Sequence, residues 1–307
     1  MSLFKRYFNK KQYDSEQTII WNEETATSSS KGIFWKRFKK HKLAVVGLWF
    51  LSVVTIAAIF APILAPYGPN DITGNFSAAP SMQHWLGTDQ VGRDVLSRVI
   101  YAARVSLTVG IGAVAISAII GTILGLVSGY FGGMIDGIIM RLTDMFMSFP
   151  YIMFILVVAS IVGPGLTNIV IILGVLGWPG IARLVRGNVL AIKQSDYVKA
   201  SIALGYSTPR ILFKHILPNT VAPILIYATS GVAGAILDEA ALSFLGLGVQ
   251  PPDASWGNML SSAQSISILT DQPWLWIPPG IFILLTVLSI NYIGDALRDA
   301  LDPHNSK

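Results

Sequence analysis

Residues 43–64 read LAVVGLWFLSVVTIAAIFAPIL, 22 residues without a charge. At about 1.5 Å per residue, a helix of that length exceeds the roughly 30 Å hydrocarbon core of a bilayer. Lipid offers no partner to backbone N–H and C=O groups, so such a stretch predicts a helix that satisfies its own backbone and spans the membrane. It follows a highly charged segment and lies too far into the chain to read as a secretory signal. Further apolar runs predict crossings at Val105–Tyr130, at Phe149–Val162 extended back through Met134–Met147, at Leu166–Ala182, at Thr220–Gly246 and at Trp274–Gly294. Pro150 is expected to kink the third, and Gly177, Pro179 and Gly180 loosen the fourth.

Six crossings put both ends on one side, and the basic residues choose it. Ten lysines and arginines precede Leu43, one lies between crossings two and three, six between four and five, and two after the last. The other side receives only Arg93, Arg98 and Arg104, a split of 19 to 3. Basic residues stay inside, so both termini are expected in the cytoplasm. The net charge of +5 then reflects topology and does not require nucleic acid. With 52% hydrophobic and 13% charged residues, the 307-residue chain is predicted to be an all-α integral membrane protein of six transmembrane helices.

Several chemistries drop out. There is no cysteine, which removes disulfides, thiolate catalysis and cysteine-ligated metals. The histidines, at 41, 84, 215 and 304, have no metal-site spacing. No GxxxxGK[ST] loop is present, and no nucleotide-binding domain is expected after the last crossing.

Residues 1–42 read as an N-terminal tail ending in a basic amphipathic segment, KGIFWKRFKKHK, with Phe34 and Phe38 on one face. It suits either an anionic lipid surface or a docking protein. Residues 65–104 form an external loop and interfacial helix, in which Val95, Leu96, Val99 and Ile100 are apolar and Asp94 can pair with Arg98. Residues 105–295 form the core of five further crossings, and 296–307 a C-terminal tail. Gly121, Gly125, Gly129 and Gly133 recur every fourth residue, a stripe for close helix packing or for sliding during a transport cycle.

The loop 183–219 is long enough for two short helices broken at Gly205. Val198, Ser201, Ile202 and Gly205 offer a small-residue docking strip. Ser207 or Thr208 can cap the second helix, Pro209 fits its first turn, and Pro218 marks its end. Ile211, Leu212, His215 and Ile216 share its apolar side. Such a hairpin suits a partner, a membrane surface or a cap on the bundle. Asp238 and Glu239 are unusual in an apolar crossing. They fit interhelical bonding or helix capping, contact with a water-filled pathway or a substrate's charged amino terminus, or, with nothing else in support, paired acid–base chemistry.

Four segments together resemble the permease subunits of bacterial oligopeptide and dipeptide ABC importers, specifically the second permease. They are HWLGTDQVGRDVLSRVIYAARVSL at 84–107, DYVKASIALG at 196–205, FKHILPN at 213–219 and DEAALSFLGLGVQPPDASWGNML at 238–260. The resemblance implies a type I ABC importer permease fold whose cytoplasmic loop supplies a coupling helix for an ATPase. Its signature places an acidic residue and two alanines before a glycine and a later leucine-proline. Here Lys199, Ala200 and Ser201 stand first, then Gly205, Leu217 and Pro218, so no glutamate contact carries over. The coupling candidates are thus Tyr197, Val198, Lys199, Ala200, Ser201, Gly205, Pro209, His215, Leu217 and Pro218. Asp238 and Glu239 are pathway or assembly candidates, and Gly87, Asp89, Gly92, Arg93, Asp94, Arg98 and Arg104 mark the external motif.

The resemblance further implies a bacterial cell-membrane protein that is itself no enzyme. A homologous permease, two cytoplasmic ATP-binding subunits that carry ATP and Mg2+, an external peptide-binding protein and membrane lipids would be its partners. No cofactor or metal falls to this chain. An importer of nickel or another small solute is the alternative, and an ion-coupled secondary transporter a more distant one.

Overall fold

A computed structural model describes residues 30–301, and the tail expectations for residues 1–29 and 302–307 lie outside them. Helix α1, Ser30–Lys40, lies against the far end of the chain, with Phe38 buried among Ala44, Ala296 and Ala300. The first crossing is α2, Lys42–Ile59, followed after Phe60 by the short α3, Ala61–Leu64, whose first turn holds Pro62. Helix α4 runs unbroken from Val95 to Phe131. Its 37 residues span about 55 Å at the helical rise, more than the bilayer core. The interfacial helix expected within 65–104 is therefore the beginning of crossing two.

The third crossing differs most from expectation. Helix α5, Gly133–Ser148, and α6, Tyr151–Val162, meet at 89° across Phe149 and Pro150. Proline cannot donate to the preceding turn, and the residue before it is driven from helical to extended backbone. Phe149 accordingly has φ −91° and ψ 145°. The fourth crossing combines α7, Leu166–Leu176, with α8, Trp178–Lys193, through Gly177. It runs past the expected end at Ala182, so residues 183–193 are helix and not loop.

After the hairpin helices α9, Asp196–Ala203, and α10, Thr208–Ile211, a single π turn at Leu212–Ile216 leads into α11, Leu217–Phe244. Pro218 was expected to end a helix. It stands directly after the π turn, in the first turn of α11, and the chain stays helical from Thr208 to Phe244. Short helices α12, Trp256–Leu260, and α13, Ile266–Asp271, precede α14, Ile277–Leu301, which passes the expected boundary at Gly294. Among the described residues, the β structure is one isolated antiparallel bridge between Thr88 and Asp94.

Five helical spans in the described residues are long and apolar enough to cross a membrane, and the bent α5–α6 pair makes a sixth if taken as one. Contacts define two ends of the bundle. At one, His41 Nε2 lies 3.2 Å from Asp299 Oδ2, and Lys193 Nζ donates to the Tyr130 carbonyl at 2.6 Å. At the other, Trp256 Nε1 donates to the Val99 carbonyl at 3.1 Å and Trp274 Nε1 to that of Thr88 at 3.4 Å. Between them, the glycine stripe brings α4 against α8. A β-carbon added at Gly121 or Gly129 would lie 2.7 Å from the Cβ of Ile181 or Val189. Gly133, expected to continue the stripe, stands past the break at Gly132 with open space around it.

Candidate functional site

The hairpin projects from the α8 end of the bundle. Helix α9 stops in a Schellman motif: Gly205 N–H donates to the Ile202 carbonyl at 2.9 Å and Tyr206 N–H to that of Ser201 at 3.1 Å. Gly205 adopts φ +76°, a left-handed conformation that other residues enter only at a cost. Ser207 takes the N-cap position of α10 without a side-chain capping bond, and Pro209 fills the first turn as expected. The two arms are tied together: Asn219 Nδ2 donates to Tyr197 Oη at 3.3 Å and to the His215 carbonyl at 2.7 Å. The His215 ring lies between Tyr206, 6.2 Å away and stacked, and Tyr197 at 6.5 Å.

The expected docking strip is partly inverted. Val198 and Ser201 are buried, Val198 with Ile211 and Ile216 against Val185 and Val189 of α8, because this face closes the hairpin onto its own bundle. The outward face presents Tyr197, Ile202, Leu204 and Phe213, with Leu204 72% and Phe213 66% exposed. Lys199, Ala200, Gly205 and Pro209 are exposed beside them, and Leu217 and Pro218 begin α11. An apolar apex on a rigid double arm is thus open to solvent. Its second arm runs without interruption into a membrane-crossing helix.

That helix carries the paired carboxylates, which part company. Glu239 is wholly buried and accepts from Ser243 Oγ at 2.7 Å and from Ser106 Oγ of α4 at 3.3 Å. The same two hydroxyls accept from backbone N–H groups of the segment after α11: Trp256 N–H to Ser106 Oγ at 3.2 Å and Val249 N–H to Ser243 Oγ at 3.0 Å. Glu239 therefore sits at a junction of α4, α11 and the loop beyond. Asp238 points elsewhere, into a cavity between helices, and no hydrogen bond or ion pair with a described residue engages it.

The external motif builds a cap at the opposite end. Asp89 accepts from the N–H groups of Val91 and Arg93, both at 2.9 Å, and from Arg93 Nε at 2.7 Å. Arg98 Nε lies 3.8 Å from the same carboxylate, and its Nη1 donates to the Pro69 carbonyl at 3.0 Å. The expected Asp94–Arg98 pair does not form. Asp94 instead caps α4, accepting from Ser97 N–H at 2.8 Å, and binds buried His84 Nδ1 at 2.9 Å. A β-carbon at Gly87 would sit 2.8 Å from Trp274 Cδ1, and Gly92 closes the Asp89 turn. Arg104 is exposed and has no bonded partner among the described residues. The following loop packs inward too: Ser255 and Asn258 form a capping box, and Trp256 is fully buried.

Sequence reasoning overlooked two ion pairs from α8 to α5. Arg186 grips Asp136 bidentately at 2.6 and 2.5 Å, with Ser128 bonded to the same carboxylate, and Arg183 lies 2.6 Å from Asp144. The available signal was opposite charge flanking two neighbouring apolar segments.

A bundle of lipid-length helices, a cavity between them and a projecting apolar hairpin define a multi-span helical membrane protein. Residues 121–307 match the family of binding-protein-dependent transport system inner membrane components, and residues 31–80 match the N-terminal transmembrane domain of oligopeptide transport permease C. The chain belongs to this family of transport-system inner membrane components. It is 45% identical over 268 residues, 87% of its length and 89% of the other's, to a Brucella suis protein described as a peptide permease. A dipeptide transport system permease protein of Alkalihalophilus pseudofirmus is 44% identical over 283 residues, 92% of both chains. A glutathione transport system permease protein of Escherichia coli is 42% identical over 272 residues, 88% of this chain and 89% of the other.

Proposed function

We propose that this chain is the membrane-spanning permease subunit of an ATP-driven peptide importer. It forms half of the pathway with a homologous permease, two ATP-binding subunits engage it from the cytoplasm, and an external binding protein delivers peptide. The relatives' names support the cargo. The reading of six crossings with both termini and the hairpin inside is supported by the 19-to-3 distribution of basic residues.

One observation carries the mechanism: the second hairpin arm and the crossing helix with Asp238 and Glu239 are one helical body from Thr208 to Phe244. A partner that moves the apex moves one continuous helix of about 55 Å, with a π turn at Leu212–Ile216 and Pro223 within it, so cytoplasmic closure reaches the membrane interior along it without an intervening loop. The apolar residues Ile202, Leu204 and Phe213 suit burial in a protein groove, which supports docking over solvent exposure. ATP and Mg2+ belong to the partner chains.

The test is purification with native associates, followed by uptake into proteoliposomes. The reading expects the second permease, both ATP-binding subunits and ATP-dependent peptide accumulation, with ATPase stimulated by the peptide-loaded binding protein. Uptake driven by an ion gradient without ATP would contradict it, and accumulation of nickel in place of peptide would replace the cargo.

A further inference from the structure

Two helix breaks, α5–α6 at Pro150 and α7–α8 at Gly177, open onto the same cavity of about 370 Å³, within the range of small-ligand pockets. Its depth follows from Ser117, which lines it and stands near the middle of the uncharged run 105–130 of α4. Irregular backbone at that depth is tolerated where it lines a cavity, and a carboxylate there is expensive without a partner. Asp238 lines the cavity half-buried and has no bonded partner among the described residues. Tyr151 and Tyr227 line it as well, and Tyr227 Oη packs over Gly180, where a side chain would displace it. The nearest charged neighbour in sequence, Glu239, is turned away and fully committed to Ser106 and Ser243.

A single carboxylate with two phenolic hydroxyls, in a pocket whose one other polar side chain, Ser117, is bonded to the Ala113 and Gly174 carbonyls, suits a cation of a particular kind. Among the described residues no group of three or more His, Cys, Asp or Glu exists that could hold a metal ion, so a divalent cation finds too few ligands. A protonated amine needs one counter-charge and a few acceptors for its three N–H groups, and that is what Asp238, Tyr151 and Tyr227 supply. We infer that Asp238 is a transient binding site for the protonated amino terminus of a peptide passing through the permease, with Tyr151 and Tyr227 as its hydrogen-bonding companions. This rests on the peptide-importer reading. It assigns the pathway role to Asp238, and an assembly role to Glu239.

The chain has no cysteine, and Gly234 lines the same cavity one turn before Asp238 with nothing within 4 Å of an added β-carbon, so Gly234→Cys creates a unique thiol beside the intact carboxylate. In the assembled complex in proteoliposomes, a small cationic methanethiosulfonate is expected to modify that thiol, with the mass shift read on this chain. A transported free-amino dipeptide is expected to slow modification at least about threefold during turnover. In parallel, Asp238→Asn is expected to lower dipeptide uptake about tenfold while binding-protein-stimulated ATP hydrolysis persists, and Asp238→Glu to recover part of the uptake. A thiol that stays unmodified, modification indifferent to the dipeptide, or full uptake by Asp238→Asn would each overturn the assignment. If the wild-type complex accumulates no peptide, the underlying importer reading fails instead. Normal wild-type uptake with an indifferent Asp238 confines the failure to this site.

Discussion

Gly205 allows backbone strain to be separated from docking. Its φ of +76° excludes ordinary residues at little penalty, yet a β-carbon there would meet nothing within 4 Å. Gly205→Ala should therefore cost only the left-handed conformation, about 1–2 kcal/mol. Gly205→Asn should cost less, because asparagine enters that region more readily. Gly205→Trp carries the backbone cost of alanine plus a large body at the apex, beside exposed Leu204 and Tyr206. An added β-carbon meets nothing within 4 Å among the described residues and the apex is exposed, so the purified Ala and Trp variants should melt within a few degrees of each other. In the assembled transporter the two should diverge. Trp is expected to lower uptake at least tenfold, about 1.4 kcal/mol of lost coupling, while ATP hydrolysis continues. Asn should stay near wild type and Ala fall only slightly. Full uptake by a correctly assembled Trp variant would refute the reasoning, as would Ala falling as far as Trp, since that places the effect in the backbone and not in a groove.

Three further substitutions probe the bundle. Gly125→Val puts a β-carbon 2.6 Å from the Ala182 carbonyl and 2.7 Å from Val185 Cβ, and should destabilise the purified chain by about 1–3 kcal/mol in thermal melts. Gly137→Val, with open space around it, is the control. Glu239→Gln replaces a carboxylate bonded by Ser106 and Ser243, and should weaken the complex by about 0.6–1.7 kcal/mol and reduce peptide flux; unchanged melting and flux would argue against the junction. Asp94→Ala removes the cap of α4 and the partner of buried His84, and should lose about 2 kcal/mol or more, read as faster protease cleavage within residues 65–94.

Apolar run length made the crossings legible, because hydrocarbon thickness acts on each segment independently of its neighbours. Their ends were less legible where long-range partners decide them. Arg183 and Arg186 look like loop residues until Asp144 and Asp136 of another helix neutralise them, and α8 then continues to Lys193. Asp94 and Arg98 have ideal local spacing, but the cap bond to Ser97 and the hydrogen bond with His84 compete for the carboxylate and win. In the hairpin, spacing correctly grouped Val198 with Ser201 but could not say which way the face turns. Burial against Val185 and Val189 turns it inward and leaves Leu204 and Phe213 to face out. Asp238 and Glu239 are adjacent in sequence, and only the fold distinguishes a residue satisfied by Ser106 and Ser243 from one open to a cavity.

The central claim is that the apex around Gly205 lies in the cytoplasm and is covered there by an ATP-binding subunit. Leu204→Cys places the chain's sole thiol on that apex, 72% exposed in the isolated subunit. A membrane-impermeant maleimide should leave it unlabelled in intact cells, label it in inside-out vesicles stripped of the ATP-binding subunits, and label it far more slowly when those subunits are restored. Rapid labelling from outside intact cells, or labelling in the vesicles that the restored subunits do not slow, would contradict the account.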